Sequence, residues 1–219
     1  MNLFILVASL PKTLYVNFKC LPIKTAFHLP IVVHHSVNID GKLRKGAIKV
    51  DIRCFANIII GFEKGSWWKG KNSTSYLSIK EGACLSFGAN VKICRGFGID
   101  LHNNSSLRIG SSSYINTNVN FECFNEICIG NRNYIAYNVY FQDDSAHKII
   151  SNSTNQHSSI RLGDCCWVCS NVHFYKSTSI GTCSVVASFS KVGGIVSPDH
   201  CLLSGNPCKI IKENIEWKV

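Results

Sequence analysis

The feature that most constrains the fold is a fixed six-residue spacing of apolar residues near the end of the chain. Six apolar positions follow one another at this spacing without a slip: Leu162, Val168, Phe174, Ile180, Val186 and Val192. An amphipathic helix repeats its apolar positions every three or four residues, and an isolated strand repeats them every two. A period of six predicts one short strand and one corner per repeat, which is typical of a parallel β-helix.

The same spacing extends towards the front of the chain, with interruptions. Apolar hexads begin at Phe87, Ile109 and Ile129, and each run ends in an insertion. Insertions in a solenoid emerge as loops on one side, which is often the binding side. We therefore predict an all-β chain in three parts: a helical cap at 1–47, a β-helix at 48–212 with loops at about 61–76 and 143–159, and a short tail at 213–219.

The front of the chain is apolar and basic. Pro11, Pro22 and Pro30 divide residues 1–30 into short segments, which predicts one short helix or two helical turns over the open end of the β-helix. The apolar stretch at 1–10 is too short to span a bilayer and lacks a basic region before it, so an amphipathic element is favoured over a signal peptide.

The charge balance indicates a polyanionic partner. The formal net charge is +10, and residues 1–50 contain Asp40 as their one acidic residue. A basic excess favours nucleic acid, an anionic membrane surface or phosphorylated small molecules. No nucleic-acid-binding motif is present, so we expect no nucleic acid and favour a phosphate-bearing ligand, with possible peripheral contact at a membrane.

Twelve cysteines indicate either disulfides or small buried thiols, depending on the compartment. Several of them occupy small corner positions or lie beside core positions, which favours use as small apolar side chains. Cys166 and Cys169 form a CxxC pair, but no second pair lies at zinc spacing. We therefore expect no metal site.

Two segments resemble the hexapeptide-repeat acyltransferases, in particular members that modify bacterial surface polysaccharides. Residues 160–172, IRLGDCCWVCSNV, are similar to the family segment I-x-I-G-D-x-V-W-I-G-x-N-V. Residues 204–212, SGNPCKIIK, are similar to the family ending A-G-N-P-A-K-x-I-K. The resemblance implies a left-handed β-helix, a homotrimer with active sites between subunits, acetyl-CoA as donor, and a sugar or glycan acceptor, either free or lipid-linked.

The resemblance also implies a catalytic histidine. Acetyl transfer to a sugar hydroxyl needs a base that removes the hydroxyl proton, and histidine has a suitable pKa. The family commonly has D-x-D-x-H before the last coils, and here Asp143, Ser145 and His147 occupy those positions. His147 is therefore the expected base, and Asp143 or Asp144 is the expected carboxylate that orients it. His157 and His173 are the alternative bases.

Further site residues follow from the same resemblance. Asn118 and Trp167 match positions near the acceptor. Ala187 and Ser188 match the coil along which the pantetheine arm runs, and Lys209 and Lys212 are placed to meet CoA phosphates. The family lysine after the last full coil is replaced by glycine at residues 193 and 194.

The favoured function is an acetyl-CoA-dependent O-acetyltransferase of capsule, lipopolysaccharide or a related glycan. We expect it in the cytoplasm, either free or at the inner face of the membrane. Two alternatives remain at this stage. One is a non-catalytic β-solenoid scaffold, which the missing lysine and the altered acid motif favour. The other is an N-acetyltransferase of an amino sugar, because the base chemistry is similar. A zinc hydratase would need three converging histidines, and no such set is evident.

Overall fold

The chain winds into a three-sided solenoid of short parallel strands. The structure is a computed structural model that describes residues 3–40, 43–63, 65, 74–145, 147 and 159–218. Within these ranges, two helices, α1 (Leu3–Cys20) and α2 (Ile23–Ala26), precede three parallel sheets. We call the sheets sides A, B and C, in the order in which the chain visits them. The predicted all-β chain of stacked parallel strands with a helical cap is confirmed.

Each side stacks one strand per coil. Side A contains β1 (Ile31–Val33), β4 (Ile58–Ile60), β7 (Val91–Ile93), β10 (Tyr114–Ile115), β13 (Tyr134–Ile135), β16 (Trp167–Val168), β19 (Val185–Val186), β21 (Leu202–Gly205) and β22 (Cys208–Lys212). Side B contains β2 (Val37–Asp40), β5 (Ser75–Ile79), β8 (Gly98–Leu101), β11 (Asn120–Cys123), β14 (Tyr140–Gln142), β17 (His173–Tyr175) and β20 (Lys191–Val192). Side C contains β3 (Ile48–Val50), β6 (Cys84–Phe87), β9 (Ser106–Ile109), β12 (Glu126–Ile129), β15 (Ser159–Leu162) and β18 (Thr178–Ile180). Within each side, neighbouring strands pair in parallel, except that β22 folds back antiparallel on β21.

The six-residue spacing corresponds to one side of the solenoid. Leu162, Val168 and Phe174 lie on sides C, A and B in turn, and all are buried. One coil later, the next three hexad residues pair with them in register: Ile180, Val186 and Val192. Inward positions alternate with outward ones along each strand, so the hexad residues form continuous columns inside the solenoid.

Aromatic rings stack inside side B. Phe121, Phe141 and Phe174 are fully buried, and their ring centroids are separated by 4.8 Å and 4.6 Å with nearly parallel planes. Identical residues at equivalent positions of successive coils can stack in this way because the strand spacing is about 4.8 Å. These contacts hold β11, β14 and β17 in register beneath the outer face of side B.

The solenoid begins earlier than the predicted boundary at residue 48. Strand β1 pairs with β4, and β2 pairs with β5, so the first coil starts at Ile31. The predicted cap at 1–47 therefore contains two strands as well as the helices. The helical part is also longer than expected, because α1 continues through Pro11 to Cys20. By length and composition alone, α1 is long and apolar enough to cross a membrane.

Helix α1 covers the open edge of side A with polar side chains. Ser9, Thr13 and Asn17 lie on successive turns of α1 and face β1, and all three are buried. Their oxygens accept the backbone N–H groups of His35, Val33 and Ile31, respectively, at 3.0, 3.1 and 3.2 Å. A spacing of four residues places the three side chains on one helix face. The helix thus satisfies backbone groups that a further strand would otherwise bind.

Candidate functional site

His147 lies in the loop that leaves the solenoid after β14, and it is exposed. Its backbone carbonyl accepts a hydrogen bond from the Ser145 hydroxyl at 3.2 Å. The Asp144 carboxylate accepts the Ser145 backbone N–H at 2.7 Å, so this acid braces the same short loop. Among the residues that the structure describes, no carboxylate contacts the imidazole of His147. The second predicted base, His157, lies outside the described residues.

Asp143 binds backbone groups of the preceding coil. It is fully buried, and its carboxylate accepts the backbone N–H groups of Phe124, Asn125 and Glu126 at 2.7, 2.8 and 2.6 Å. It therefore caps the turn between β11 and β12 in the coil below. Burial raises the pKa of the Asp143 carboxyl, although the three N–H donors act in the opposite direction. In this geometry the Asp143 carboxylate is directed at the preceding coil, and its orienting role toward His147 stays a prediction.

The strand period explains why Asp143 turns inward. Phe141 points into the core and Gln142 points out, so the next inward position falls on residue 143. The sequence alone therefore predicts an inward Asp143 from the alternation of side chains, whereas the resemblance to an acid–histidine motif predicts a site role for the same residue.

The corner between sides A and B carries a ladder of asparagines. This A–B corner comprises residues 116–119, 136–139, 169–172 and 187–190 of successive coils. Asn118, Asn138 and Asn171 adopt left-handed backbone angles with φ of 55°, 59° and 59°, a conformation that asparagine tolerates better than most residues. Asn118 donates to the Asn138 side chain at 2.9 Å, and Asn138 donates to Asn171. With Thr117 and Tyr137, the three asparagines line a cleft of about 130 Å³.

The predicted donor residues lie on the same corner. Ala187 and Ser188 follow β19, and the hydroxyls of Ser170 and Ser188 lie 3.4 Å apart. Asn118 is three coils away, which corresponds to about 14 Å at the usual strand spacing. The corner thus contains Asn118, Ala187 and Ser188, and the exposed Phe189 follows the three asparagines at the next ladder position.

The outer face of side B carries a polar and aromatic surface that the sequence analysis did not single out. Tyr76, Asp100, Glu122 and Tyr140 line a depression of about 280 Å³ with Gly98 at its floor. The Glu122 carboxylate accepts hydrogen bonds from the Tyr140 hydroxyl and, at 3.0 Å, from the Gln142 amide. An added Cβ at Gly98 would meet the Asn120 side-chain oxygen at 2.3 Å, so glycine keeps the floor open. Outward positions of β8, β11 and β14, taken by period two, would have revealed this surface.

His173, the third predicted base, lies on the same face. It stands opposite Tyr140 in the parallel pairing of β14 and β17, with ring centroids 5.8 Å apart. Its pairing with Tyr140 places this imidazole beside the depression on side B.

Trp167 lies on the outer face of side A with 39% of its surface exposed. The tail folds back so that the Trp217 ring centroid lies 5.9 Å from that of Trp167. The Trp217 indole N–H donates to the Cys165 backbone carbonyl at 2.9 Å, which fixes the tail in place. With Tyr134 and Lys218, the two rings line a cavity of about 200 Å³. No sequence signal connected the tail to Trp167.

In a single chain, six of the predicted site residues lie on two different corners. His147, Asp143 and Asp144 lie beyond the end of β14, whereas Asn118, Ala187 and Ser188 lie on the A–B corner before it. Three residues of β14 separate the two corners, which is about 10 Å. Lys209 and Lys212 are exposed on β22, at the last edge of side A.

Of the twelve cysteines, five are buried, six are partly buried and Cys54 is exposed. Cys166, from the CxxC pair, is fully buried and its thiol donates to the Gly181 carbonyl at 3.2 Å. Burial raises the pKa of the Cys166 thiol to about 12 and also raises that of Cys169. A neutral thiol is a poor metal ligand and a poor nucleophile. In the same ranges, no three histidine, cysteine, aspartate or glutamate side chains form a metal-binding group.

The comparisons with known proteins point to one family. No family model matches the chain. The chain is 27% identical over 164 residues to an uncharacterized 24.8 kDa protein in the cps region of Klebsiella pneumoniae, covering 74% of this chain and 72% of the relative. It is 27% identical over 110 residues to the proposed colanic acid biosynthesis acetyltransferase WcaF of Escherichia coli (strain K12), covering 50% of this chain and 60% of the relative. The chain resembles the hexapeptide-repeat acetyltransferases.

The solved structures that match the chain include that of the polySia-specific acetyltransferase NeuO. The two are 21% identical, with a TM-score of 0.46, over 86% of this chain and 68% of that chain. The match to WcaF spans less than two thirds of that relative's own length.

Proposed function

We propose that this protein transfers an acetyl group from acetyl-CoA to a sugar hydroxyl of a surface polysaccharide, with His147 as the general base. The observation that carries the proposal is the exposed imidazole on the loop between β14 and β15. The hexapeptide-repeat family commonly has its catalytic histidine at this point of the chain. The polysaccharide-related names of the curated relatives support the substrate class.

The proposed reaction needs one base and one leaving thiolate. The imidazole of His147 removes the proton from the acceptor hydroxyl as its oxygen attacks the thioester carbonyl. The tetrahedral intermediate collapses, the carbon–sulfur bond breaks, and the acetyl group remains on the sugar oxygen. The proton passes from the imidazolium to the departing CoA thiolate. Amino sugars would undergo the same steps through nitrogen, which is the alternative N-acetyl transfer.

Donor and acceptor are proposed to occupy different surfaces. The A–B corner, with Ala187 and Ser188, would follow the pantetheine arm, and Lys209 and Lys212 would meet the phosphates. Glu122 and Tyr140 on side B would hold sugar hydroxyls, because carboxylates and tyrosine hydroxyls form directional hydrogen bonds. Asn118 and Trp167 remain proposed acceptor contacts.

A homotrimer would complete the site. The two groups of proposed residues face different directions in one chain, so a neighbouring subunit could bring one group opposite the other. We further propose a left-handed solenoid, as in the family, and a cytoplasmic location, where acetyl-CoA is produced.

Calorimetric titration with acetyl-CoA, combined with turnover of His147→Ala, tests this function. We expect the donor to bind equally to both forms and turnover to fall by about 10²- to 10⁴-fold in the variant. The exposed His28→Ala variant is the matched control and should retain full turnover. An absence of binding at millimolar acetyl-CoA would overturn the proposal and favour the non-catalytic scaffold. The glycines at 193 and 194, which replace the family lysine, also favour that alternative. Mass spectrometry of hydroxyl and amino acceptors distinguishes O- from N-transfer.

A further inference from the structure

Helix α1 has its polar face turned inward and its apolar face turned outward. Ser9, Thr13 and Asn17 contact the solenoid, as described above. The opposite face presents exposed apolar side chains at positions 3, 4, 7, 10 and 14, among them Phe4 with 81% of its surface exposed. These positions share one side of a helix. The outer face of α1 is therefore apolar, which is the reverse of the usual arrangement in a surface helix.

Helix α2 continues this apolar surface. Ile23 and Phe27 are exposed, and Phe27 packs edge-on against Phe18 of α1 with ring centroids 5.2 Å apart. Phe18 is itself partly buried against the core. The two helices thus form one outward apolar surface at the end of the solenoid, which we call the end surface: residues 3, 4, 7, 10, 14, 23 and 27.

The charged side chains of the segment that forms the end surface are all basic. Residues 3–39 contain no aspartate or glutamate, whereas Lys19 and Lys24 are exposed beside the end surface. Two further lysines are turned to backbone carbonyls, where Lys12 donates to His35 at 2.7 Å and Lys45 donates to Phe18 at 2.9 Å. An apolar surface with a basic border complements a bilayer that contains anionic phospholipid.

Two other occupants fit less well. A second copy of the same surface would bring Lys19 and Lys24 of both copies together without acids to pair them, which is unfavourable. Insertion of α1 across a bilayer would break the hydrogen bonds that tie three of its turns to the backbone at 31–35. Those bonds keep the helix lying across the end of the solenoid.

We propose that the end surface binds the face of a membrane containing anionic phospholipid, with α1 and α2 lying in the plane of the interface. The apolar side chains enter the boundary between headgroups and acyl chains, and Lys19 and Lys24 contact the lipid phosphates. The first coil of the solenoid then lies nearest to the membrane. This inference rests on the helices alone and is independent of the proposed acetyl transfer.

Flotation of the full chain with vesicles tests the proposal. One set contains phosphatidylcholine only, and the other contains about one third phosphatidylglycerol. We expect binding to the anionic vesicles that weakens with salt. Phe4→Gln/Val7→Gln should weaken it at least about tenfold through lost apolar burial, and Lys19→Gln and Lys24→Gln about fivefold each.

Matched controls lie at the far end of the solenoid. Phe189→Gln removes an equally exposed aromatic ring, and Lys191→Gln removes an exposed cation. Both controls should bind vesicles as the unmodified chain does. Circular dichroism of each variant verifies folding, which the exposed positions should leave intact.

Three results would overturn the proposal. The first is an absence of binding to anionic vesicles at low salt. The second is equal binding by Phe4→Gln/Val7→Gln, because charge alone would then account for the attraction. The third is resistance of the bound chain to alkaline carbonate extraction, since that would indicate a transmembrane helix. Sedimentation velocity without lipid adds a fourth: self-association that Phe4→Gln/Val7→Gln abolishes, in a chain that does not bind vesicles, would assign the surface to a second copy.

Discussion

Asp143 and Asp144 are adjacent acids that the structure uses in different ways, and this difference gives a sharp test. Asp143→Ala would leave three backbone N–H groups, of Phe124, Asn125 and Glu126, without an acceptor. A buried donor without a partner costs about 1–3 kcal/mol. We therefore expect the free energy of unfolding to fall by at least about 3 kcal/mol. Asp143→Asn retains one side-chain oxygen as an acceptor and should lower the free energy of unfolding by about 1–2 kcal/mol.

The matched variant is Asp144→Asn, whose carboxylate contacts only the backbone of the next residue among the described contacts. Asp144→Asn should change the free energy of unfolding by no more than about 0.5 kcal/mol. Urea denaturation followed by circular dichroism measures all three variants, and turnover is measured on folded protein. Unchanged stability of Asp143→Asn together with a large loss of turnover would refute the structural assignment and restore the predicted role of Asp143 as the carboxylate that orients His147.

Three further predictions concern the solenoid. The buried His34 accepts a hydrogen bond from Arg95 at 2.8 Å, and burial, followed by the charge of Arg95, lowers its pKa to about 4. Because the unfolded chain protonates this residue near pH 6.5, stability should fall by up to about 3 kcal/mol as the pH drops from 6.5 to 4; urea titrations of His34→Gln should show a smaller loss. Asn17→Leu should lower the free energy of unfolding by about 2–5 kcal/mol, because it leaves the N–H and C=O of Ile31 unpaired; the exposed Leu14→Gln is its control, and equal stability of the two would contradict the cap. Phe141→Ala removes the middle ring of the stack on side B and should cost about 3–5 kcal/mol; a thermal midpoint that does not move would count against tight packing there.

The periodic part of the fold could be predicted because its signal repeats. Each hexad from Leu162 to Val192 adds independent support for the same spacing, and every one of these residues is buried as expected. The first coil was missed because β1 and β2 are short and stand alone before the interruption at 61–76. A single strand of three or four residues carries no period that a sequence can reveal.

The candidate site could be predicted only in part, because its geometry depends on registers between coils. The position of His147 in a loop after β14 follows from the insertion in the hexad pattern. The burial of Asp143 depends on its donors in the preceding coil, about twenty residues earlier in the chain. The contact between Trp217 and Trp167 depends on the path of a tail that has no periodicity. Such contacts between distant segments leave little trace in a single sequence.

The hydrogen bonds between α1 and the first coil also affect whether solenoids can associate end to end. A parallel solenoid is a stack without an inherent end, since each coil presents the same row of N–H and C=O groups to the next. Ser9, Thr13 and Asn17 occupy part of this row on side A of the first coil, so a strand of another molecule finds fewer partners there. Without this helix, the same surface would be a template for end-to-end polymerisation into filaments. The three polar residues of α1 therefore oppose end-to-end association at side A as well as stabilise one chain.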